Sequence, residues 1–245
     1  MKLTICETAD ELGLAAAREC RNLLQEAIER QGEARIVLST GASQFEFLSH
    51  FVKQDIEWDK VEMFHLDEYV GLPESHPASF RKYLKERFLQ HVPVRKAWLI
   101  SGEGDLERTL NLLNGAIREK PVDVGLIGIG ENAHIAFNDP PADFEAEEPY
   151  RIVTLDDACK RQQVREGWFP SVDDVPPRAI SMSVRQILRC RQIVSVVPRA
   201  SKADAVYNTF MNPVDPKVPA TILKTHRSWR LFLDKESAAK VYRWA

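Results

Sequence analysis

The feature that most constrains the fold is a regular alternation of short apolar runs with longer segments of helical periodicity. Seven runs are rich in β-branched and aromatic residues and are predicted to be strands: 35–38, 61–65, 97–100, 122–127, 179–183, 193–197 and 229–233. Six segments between or beyond them are predicted to be helices: 9–31, 45–52, 79–88, 105–119, 202–210 and 237–244.

Most of the predicted strands are apolar along their whole length. This pattern is typical of parallel strands whose two faces are both buried by crossover helices. We therefore predict an α/β fold with a Rossmann-like, doubly wound and mainly parallel sheet flanked by helices on both faces. At 245 residues and 44% hydrophobic content, the chain is predicted to form a single domain over 1–245.

Charge and composition argue against several classes of partner. The net charge of -3 gives no electrostatic reason to expect binding to nucleic acid or to an anionic membrane. No apolar run approaches the roughly 20 residues of a membrane span, and the N-terminus lacks a signal-peptide pattern, so we expect a cytoplasmic protein. The cysteines at 6, 20, 159 and 190 are too far apart for a C-x-x-C motif, and we expect buried thiols without a role.

Ligands of open parallel sheets bind beyond the carboxyl ends of the strands. That rule selects three loops here, at 39–43, 66–76 and 128–141. In the first loop, backbone amides and hydroxyls could converge on a phosphate, although a capped strand-to-helix turn would use the same residue types. The residues of this loop are Ser39, Thr40, Gly41, Ala42 and Ser43.

The second loop begins with two adjacent carboxylates, Asp67 and Glu68. A carboxylate that is partly desolvated at the end of a buried strand is suited to act as a general base, whereas an exposed loop acid would have no such role. His65 and His76 are more readily explained as structural residues.

The third loop places His134 beyond a glycine-rich turn. Asp139 could orient the imidazole, and Asn132 and Asn138 could bind a sugar hydroxyl. We expect no metal, because no second histidine or cysteine stands at ligand spacing.

Three basic residues are candidates to bind a phosphate. Lys202 precedes a predicted helix, and Arg161 and Arg165 lie in the segment KRQQVREGWF. Simple solvent exposure is the alternative for each of them.

These motifs together resemble the glucosamine-6-phosphate deaminase (isomerase) family, which is related to the 6-phosphogluconolactonases. The resemblance rests on LSTGAS, FHLDEYVGLPESHPASF, GIGENAHIAFNDPP, the SK pair at 201–202 and VPATILKTH at 218–226. The DEY and AFN sequences are similar to the deaminase branch, where the lactonase branch has D-E-R and A-S-L.

The resemblance implies a cofactor-free conversion of glucosamine 6-phosphate and water to fructose 6-phosphate and ammonia. It implies that His134 helps to open the sugar ring and that Asp67 moves a proton from C2 to C1. Asp139 would tune His134, and Asn132 and Glu68 would be further polar contacts. The loop 39–43, Lys202 and one arginine, for which Arg165 is favoured, would hold the phosphate.

The chain departs from the family pattern at several positions. Ala42 and Ala133 stand where glycines are usual, and Asp139 stands where glutamate is common. These changes suggest a divergent subgroup whose sugar could be a different amino-hexose phosphate or an unaminated one. A 6-phosphogluconolactonase, against which the DEY and AFN sequences argue, and a sugar-phosphate-binding protein that has lost catalysis through the altered loop residues remain as alternatives. A homo-oligomer is compatible with the sequence.

Overall fold

The computed structural model of the chain describes residues 1–241 and contains ten strands within them. In chain order they are β1 (Lys2–Cys6), β2 (Ala34–Leu38), β3 (Val61–His65), β4 (Asp67–Tyr69), β5 (Lys96–Trp98), β6 (Val124–Leu126), β7 (Tyr150–Thr154), β8 (Arg178–Met182), β9 (Gln192–Val197) and β10 (Trp229–Asp234). Seven form a central sheet in the order β1-β10-β9-β6-β2-β3-β5, and every pairing in it is parallel. The predicted doubly wound α/β fold is confirmed.

Helices cover both faces of this sheet. They are α1 (Ala9–Gln31), α2 (Phe45–Phe51), α3 (Phe80–Leu84), α4 (Leu106–Glu119), α5 (Asp157–Arg165), α6 (Val184–Leu188) and α7 (Ala203–Met211). A π-helical turn, Lys85–Leu89, continues α3, and 3-10 segments at Ala42–Gln44 and Ala200–Lys202 precede α2 and α7.

The strands are apolar on both sides because each side faces a separate hydrophobic core. In β2, Ile36 and Leu38 pack with α1 and α2, whereas Val37 belongs to the opposite core together with residues of α4 and α7. Alternate side chains of a strand point to opposite faces, so a continuous apolar run is what this two-sided burial requires.

One predicted strand is not part of the central sheet. The run predicted at 179–183 forms β8, which lies in a separate antiparallel sheet in the order β4-β8-β7. The prediction that it joins the parallel sheet is wrong, because an apolar run does not reveal which strand will pair with it. Strands β1, β4 and β7 and helices α5 and α6 were not predicted at all.

The helix predicted at 237–244 is also not formed over 237–241, the part of it that the structure describes. Residues 237–241 form turns, and 242–244 lie outside the described residues. Ser237 instead bonds to Asp234, with its amide donating to Oδ1 at 2.7 Å and its hydroxyl to the main-chain oxygen at 3.3 Å. Within 1–241, no helix combines the length and the apolar character that crossing a bilayer requires.

Candidate active site

A cleft opens at the carboxyl edge of the central sheet, where the strand order reverses. From β2 the chain progresses outward through β3 to β5, then returns to place β6 on the other side of β2 and continues through β9. The loops after β2 and β6 therefore diverge at this point and leave a crevice, as expected for a doubly wound sheet. The cleft contains about 560 Å³ of empty space when its open mouth is included.

Asp67 lies in the wall of this cleft. It is the first residue of β4 and is only 7% exposed. Burial, and next the neighbouring charge of Glu68, raise the pKa of Asp67 well above its ordinary value, and no hydrogen bond from residues 1–241 offsets these two effects. A carboxylate of this kind binds a proton more strongly than an ordinary aspartate does, which suits a general base.

Glu68 has a different environment, although it is the next residue. It is fully buried, does not line the cleft and accepts hydrogen bonds from the hydroxyl of Ser79 at 2.9 Å and from the amides of Phe80 at 3.2 Å and Arg81 at 2.9 Å. These donors belong to the beginning of α3. Burial raises the pKa of Glu68, and the donated hydrogen bonds partly offset that effect. The contacts of Glu68 are thus those of a carboxylate that anchors the first turn of α3.

His134 lines the same cleft as Asp67, from the loop that follows β6. Its ring lies directly against the backbone of Gly130, where a Cβ atom would be 2.3 Å from both Cε1 and Nε2. Only glycine permits this approach. The amide of Gly130 also donates to the carbonyl of His134 at 2.9 Å, which closes the loop on itself.

Ala133, next to His134, adopts a left-handed backbone conformation with φ at 65°. Such a φ is unfavourable for any residue with a side chain other than asparagine or aspartate. This is the position at which the family motif usually has glycine, so the loop keeps the glycine-like conformation without the glycine.

Asp139 stands beside the imidazole. Its Oδ1 is 3.2 Å from Nδ1 of His134, within ion-pair distance but without the alignment of a hydrogen bond, and Nδ1 has no hydrogen-bond partner within residues 1–241. Burial raises the pKa of Asp139. The imidazole of His134 and the hydrogen bonds from Asp156 and Asn132 outweigh this effect, so the pKa of Asp139 lies below its ordinary value. Asp139 is therefore a carboxylate held in its charged form next to His134.

Asn132 connects these two residues and does not line the cleft. Its Oδ1 accepts from the amide of His134 at 3.1 Å, and its Nδ2 donates to Oδ1 of Asp139 at 3.2 Å. The amide of Asp156 donates to the other oxygen of Asp139 at 3.2 Å. Asn132 is thus placed to orient the carboxylate and the loop that carries the imidazole.

Ser181 of β8 links the two halves of the site. It pairs with Asp67 across the antiparallel sheet, and its Oγ accepts from the amide of Phe137 at 3.0 Å, three residues beyond His134. Asn138 of the same loop donates to the carbonyl of Met182 at 2.8 Å. The second sheet therefore fixes the position of the His134 loop relative to Asp67.

Two further residues that line the cleft, Lys202 and Ser39, are suited to bind an anion. Lys202 is 6% exposed and lines the cleft, and burial lowers its pKa although Glu166 and Glu131 act in the opposite direction. Ser39 also lines the cleft, and its buried Oγ has no hydrogen-bond partner within residues 1–241. A buried hydroxyl that lacks a hydrogen-bond partner within residues 1–241 and a buried ammonium are groups that an anionic ligand would satisfy.

The loop after β2 contributes further residues to the cleft. Thr40, Gly41 and Ser43 line the cleft, and Ala42 begins the following 3-10 turn without lining it. Gly41 has φ at 94°, a conformation that residues with a side chain rarely adopt. Gln44 ties the loop to β9 because its Nε2 donates to the carbonyl of Val196 at 3.2 Å.

Neither arginine predicted to contact phosphate lines the cleft. Arg165 is 56% exposed and forms an ion pair with Glu131, and Arg161 is exposed on the same helix. Gln162 and Gln163 of α5 and Glu166 at its C-cap line the cleft instead, and sequence reasoning missed all three. Helix α5 itself has a sequence signal, because Asp156 is a favourable N-cap and accepts from the amide of Cys159 at 2.6 Å.

One group of side chains near His134 has the chemistry of a metal site. One ring nitrogen of His134, a carboxylate oxygen of Asp139 and Sγ of Cys159 lie within 4.8 Å of one another. Sequence spacing did not indicate this group, because Cys159 comes from α5 and is brought to the other two by the fold. That the reaction proceeds without a metal ion remains a prediction.

The fold and the cleft define a class: a doubly wound α/β protein with a buried carboxylate, an imidazole and a buried lysine in one cleft at the switch point of its sheet. The sequence profile of the family described as Glucosamine-6-phosphate isomerases/6-phosphogluconolactonase matches residues 7–232. The chain belongs to this family.

Individual relatives are similar over nearly the whole chain. A glucosamine-6-phosphate deaminase of Lactobacillus delbrueckii subsp. bulgaricus is 30% identical over 242 residues, which are 98% of this chain and 99% of that protein. A glucosamine-6-phosphate deaminase of Bacillus thuringiensis is 29% identical, covering 97% and 88%.

Solved structures give the same fold. A monomeric glucosamine-6-phosphate deaminase superposes with a TM-score of 0.88 at 28% identity, covering 98% of this chain and 100% of the other. A 6-phosphogluconolactonase from Trypanosoma brucei superposes with a TM-score of 0.80 at 15% identity, covering 98% of both chains, and shows the shared fold.

Proposed function

We propose that this chain converts glucosamine 6-phosphate and water to fructose 6-phosphate and ammonia. The observation that carries the proposal is that Asp67 and His134, 67 positions apart in the sequence, line one cleft together with the buried cation of Lys202. The deaminases that resemble the chain along almost its entire length support it further.

In the proposed mechanism, His134 moves a proton between the ring oxygen and O1 of the bound sugar and so opens the ring to the aldehyde. Asp139 and Asn132 keep the imidazole in place during this step. Asp67 then removes the proton from C2 and delivers it to C1, which converts the 2-amino aldehyde through an enolamine into a 2-imine. Water adds to C2 of the imine and ammonia leaves, which gives the ketose.

The residues of the cleft that are suited to an anion would hold the phosphate so that C2 lies near Asp67. Lys202 and the Ser39 hydroxyl are the proposed contacts, together with the loop 40–43. Fixing the distant phosphate positions the reacting carbon, and positioning of this kind accounts for a large share of enzymatic rate enhancement. Arg165 and Glu68 are not included in this mechanism, because neither lines the cleft.

The test is to incubate the purified protein with a panel of hexose and hexosamine 6-phosphates and with 6-phosphogluconolactone. Ammonia, ketose and acid production are followed in parallel. Equal amounts of ammonia and ketose from a hexosamine 6-phosphate are expected. Acid release from the lactone without ammonia would identify a lactonase, and binding without turnover would identify a sugar-phosphate-binding protein; either result would overturn the proposal.

A further inference from the structure

We propose that His134, Asp139 and Cys159 form an inhibitory site for a thiophilic divalent metal ion, with Zn²⁺ as the best match. One ring nitrogen of His134, a carboxylate oxygen of Asp139 and Sγ of Cys159 lie within 4.8 Å of one another, and Nδ1 is the nitrogen that lies 3.2 Å from Asp139. The first two atoms belong to the loop after β6, and the third belongs to the first turn of α5. Cys159 is fully buried behind the site, whereas His134 borders the cleft, so the ion would enter from the cleft.

The spacing of the three atoms fits a tetrahedral ion after a small adjustment. Zn²⁺ binds nitrogen and oxygen at about 2.0–2.2 Å and sulfur at about 2.3 Å, so ligand atoms around it lie roughly 3.3–3.7 Å apart. Nδ1 of His134 and Oδ1 of Asp139 are already 3.2 Å apart. The sulfur, at most 4.8 Å from the other two atoms, would have to approach them by about 1.5 Å at most.

The donor set also matches this ion in charge and in unsatisfied bonding capacity. Nδ1 of His134 is buried and has no hydrogen-bond partner within residues 1–241, so a metal would satisfy it without breaking an existing bond. A neutral imidazole, a carboxylate and a thiolate balance the two charges of the ion. A mixed nitrogen, oxygen and sulfur set favours Zn²⁺ over Mg²⁺ or Ca²⁺, which prefer oxygen alone.

Binding would remove the acid-base function of the imidazole. The S–H bond of Cys159 breaks as the S–Zn bond forms, and its proton passes to the solvent. The imidazole keeps its single proton, which must be on Nε2 because Nδ1 is bound to the ion. The ring then has no lone pair available to accept a proton from the sugar, and Asp139 no longer supports it.

The first experiment is calorimetric titration of Zn²⁺ into the full chain, into Cys159→Ser and into Cys190→Ser. Cys190 is a matched control, because it is also a buried thiol but lies outside this group. We expect one ion per chain in the wild type and in Cys190→Ser. Loss of a residue that only supports a ligand already weakens metal sites by about 10–100-fold. Loss of a ligand itself should cost more, so we expect Cys159→Ser to bind Zn²⁺ at least about 100-fold more weakly. Equal affinity in the Cys159→Ser variant would overturn the proposal.

A second measurement needs no variant. Co²⁺ bound by the wild-type chain should show the near-ultraviolet charge-transfer absorption of a thiolate ligand, and a complex without that band would refute the site. Inhibition by Zn²⁺ rests on the proposed function and is measured as turnover of glucosamine 6-phosphate against occupancy. If the chain binds Zn²⁺ through Cys159 but has no deaminase activity, the proposed function is wrong and the proposed metal site still stands.

Discussion

The imidazole of His134 lies against Gly130 so closely that residue 130 cannot carry a side chain without moving it. A Cβ atom there would be 2.3 Å from Cε1 and Nε2 of the ring. Glycine at this position is therefore required by the placement of His134. The φ of Gly130 is not among the positive values of the chain, so the requirement is one of space and not of backbone conformation.

Gly130→Ala is expected to fold and to lose activity. The new methyl group displaces the ring, and a misplacement of about 1 Å can cost about 10²-fold in kcat. Steady-state kinetics on glucosamine 6-phosphate measures the effect. Gly115→Ala is the matched control, because it adds the same atom in open space on α4 and should leave kcat unchanged. Wild-type kcat in Gly130→Ala would show that the position of His134 is not important for turnover.

Asp67→Asn is expected to abolish turnover with little change in affinity for the sugar phosphate. The carboxylate acts on the transition state, and proton transfer of this kind contributes about 10²–10⁴ in rate. Turnover assays and direct binding measurements on the same preparation separate the two effects. A variant that keeps near-wild-type turnover would contradict the role of Asp67 as the base.

The raised pKa of Asp67 also predicts how stability and activity depend on pH. Between the ordinary aspartate pKa of about 3.9 and the raised value, the unfolded chain has lost this proton while the folded chain still holds it. The contribution of Asp67 to the free energy of unfolding therefore falls as pH rises through this window, and then stays constant.

Asp67→Asn lacks this loss, so it should melt at a higher temperature than the wild type at neutral pH. The difference should shrink as pH falls toward about 4. Thermal unfolding across pH tests this. Asp67 must be ionised to accept a proton. The pKa of the acid limb in the pH profile of kcat/KM should therefore lie above the ordinary range for aspartate. A melting difference that is the same at every pH would mean that Asp67 titrates normally.

Lys202→Ala is expected chiefly to raise KM, by about 10–100-fold, because a hydrogen bond to a charged group contributes about 1.5–3 kcal/mol. Lys202→Met keeps the aliphatic stem in its buried position and should behave in the same way if the charge is what matters. Initial-rate kinetics with varied sugar phosphate gives KM and kcat separately. A loss confined to kcat would mean that the ammonium takes part in the chemistry.

Glu166→Gln is expected to lower KM for phosphorylated sugars. Glu166 lines the cleft that contains Lys202, and a carboxylate there repels a phosphate dianion. Removing the charge should gain about 1 kcal/mol, or roughly five-fold in KM. Glu29→Gln on the exposed side of α1 is the control for a change in net charge. A higher KM in Glu166→Gln would indicate that the carboxylate binds the sugar itself.

The local sequence was sufficient for elements whose own residues decide them. Strand β3 has the predicted bounds, and α1 begins and ends as predicted, because Thr8 caps its first turn and Gly32 adopts the left-handed conformation at its end. The short strands β4 and β7 could not be predicted in this way. Their pairing with β8 supplies most of what holds them in strand conformation, and pairing is not encoded in a run of three to five residues.

By itself, the sequence determined that most of its apolar runs form a doubly wound parallel sheet, and that Asp67, His134 and the loop 39–43 would follow its strands. Tertiary structure decided which polar residues reach the cleft. Glu68 turns into the first turn of α3, Arg165 turns outward to Glu131, and Glu166 lines the cleft. Adjacent residues of a strand or helix face different directions, so the partner that each side chain meets depends on elements far away in the chain.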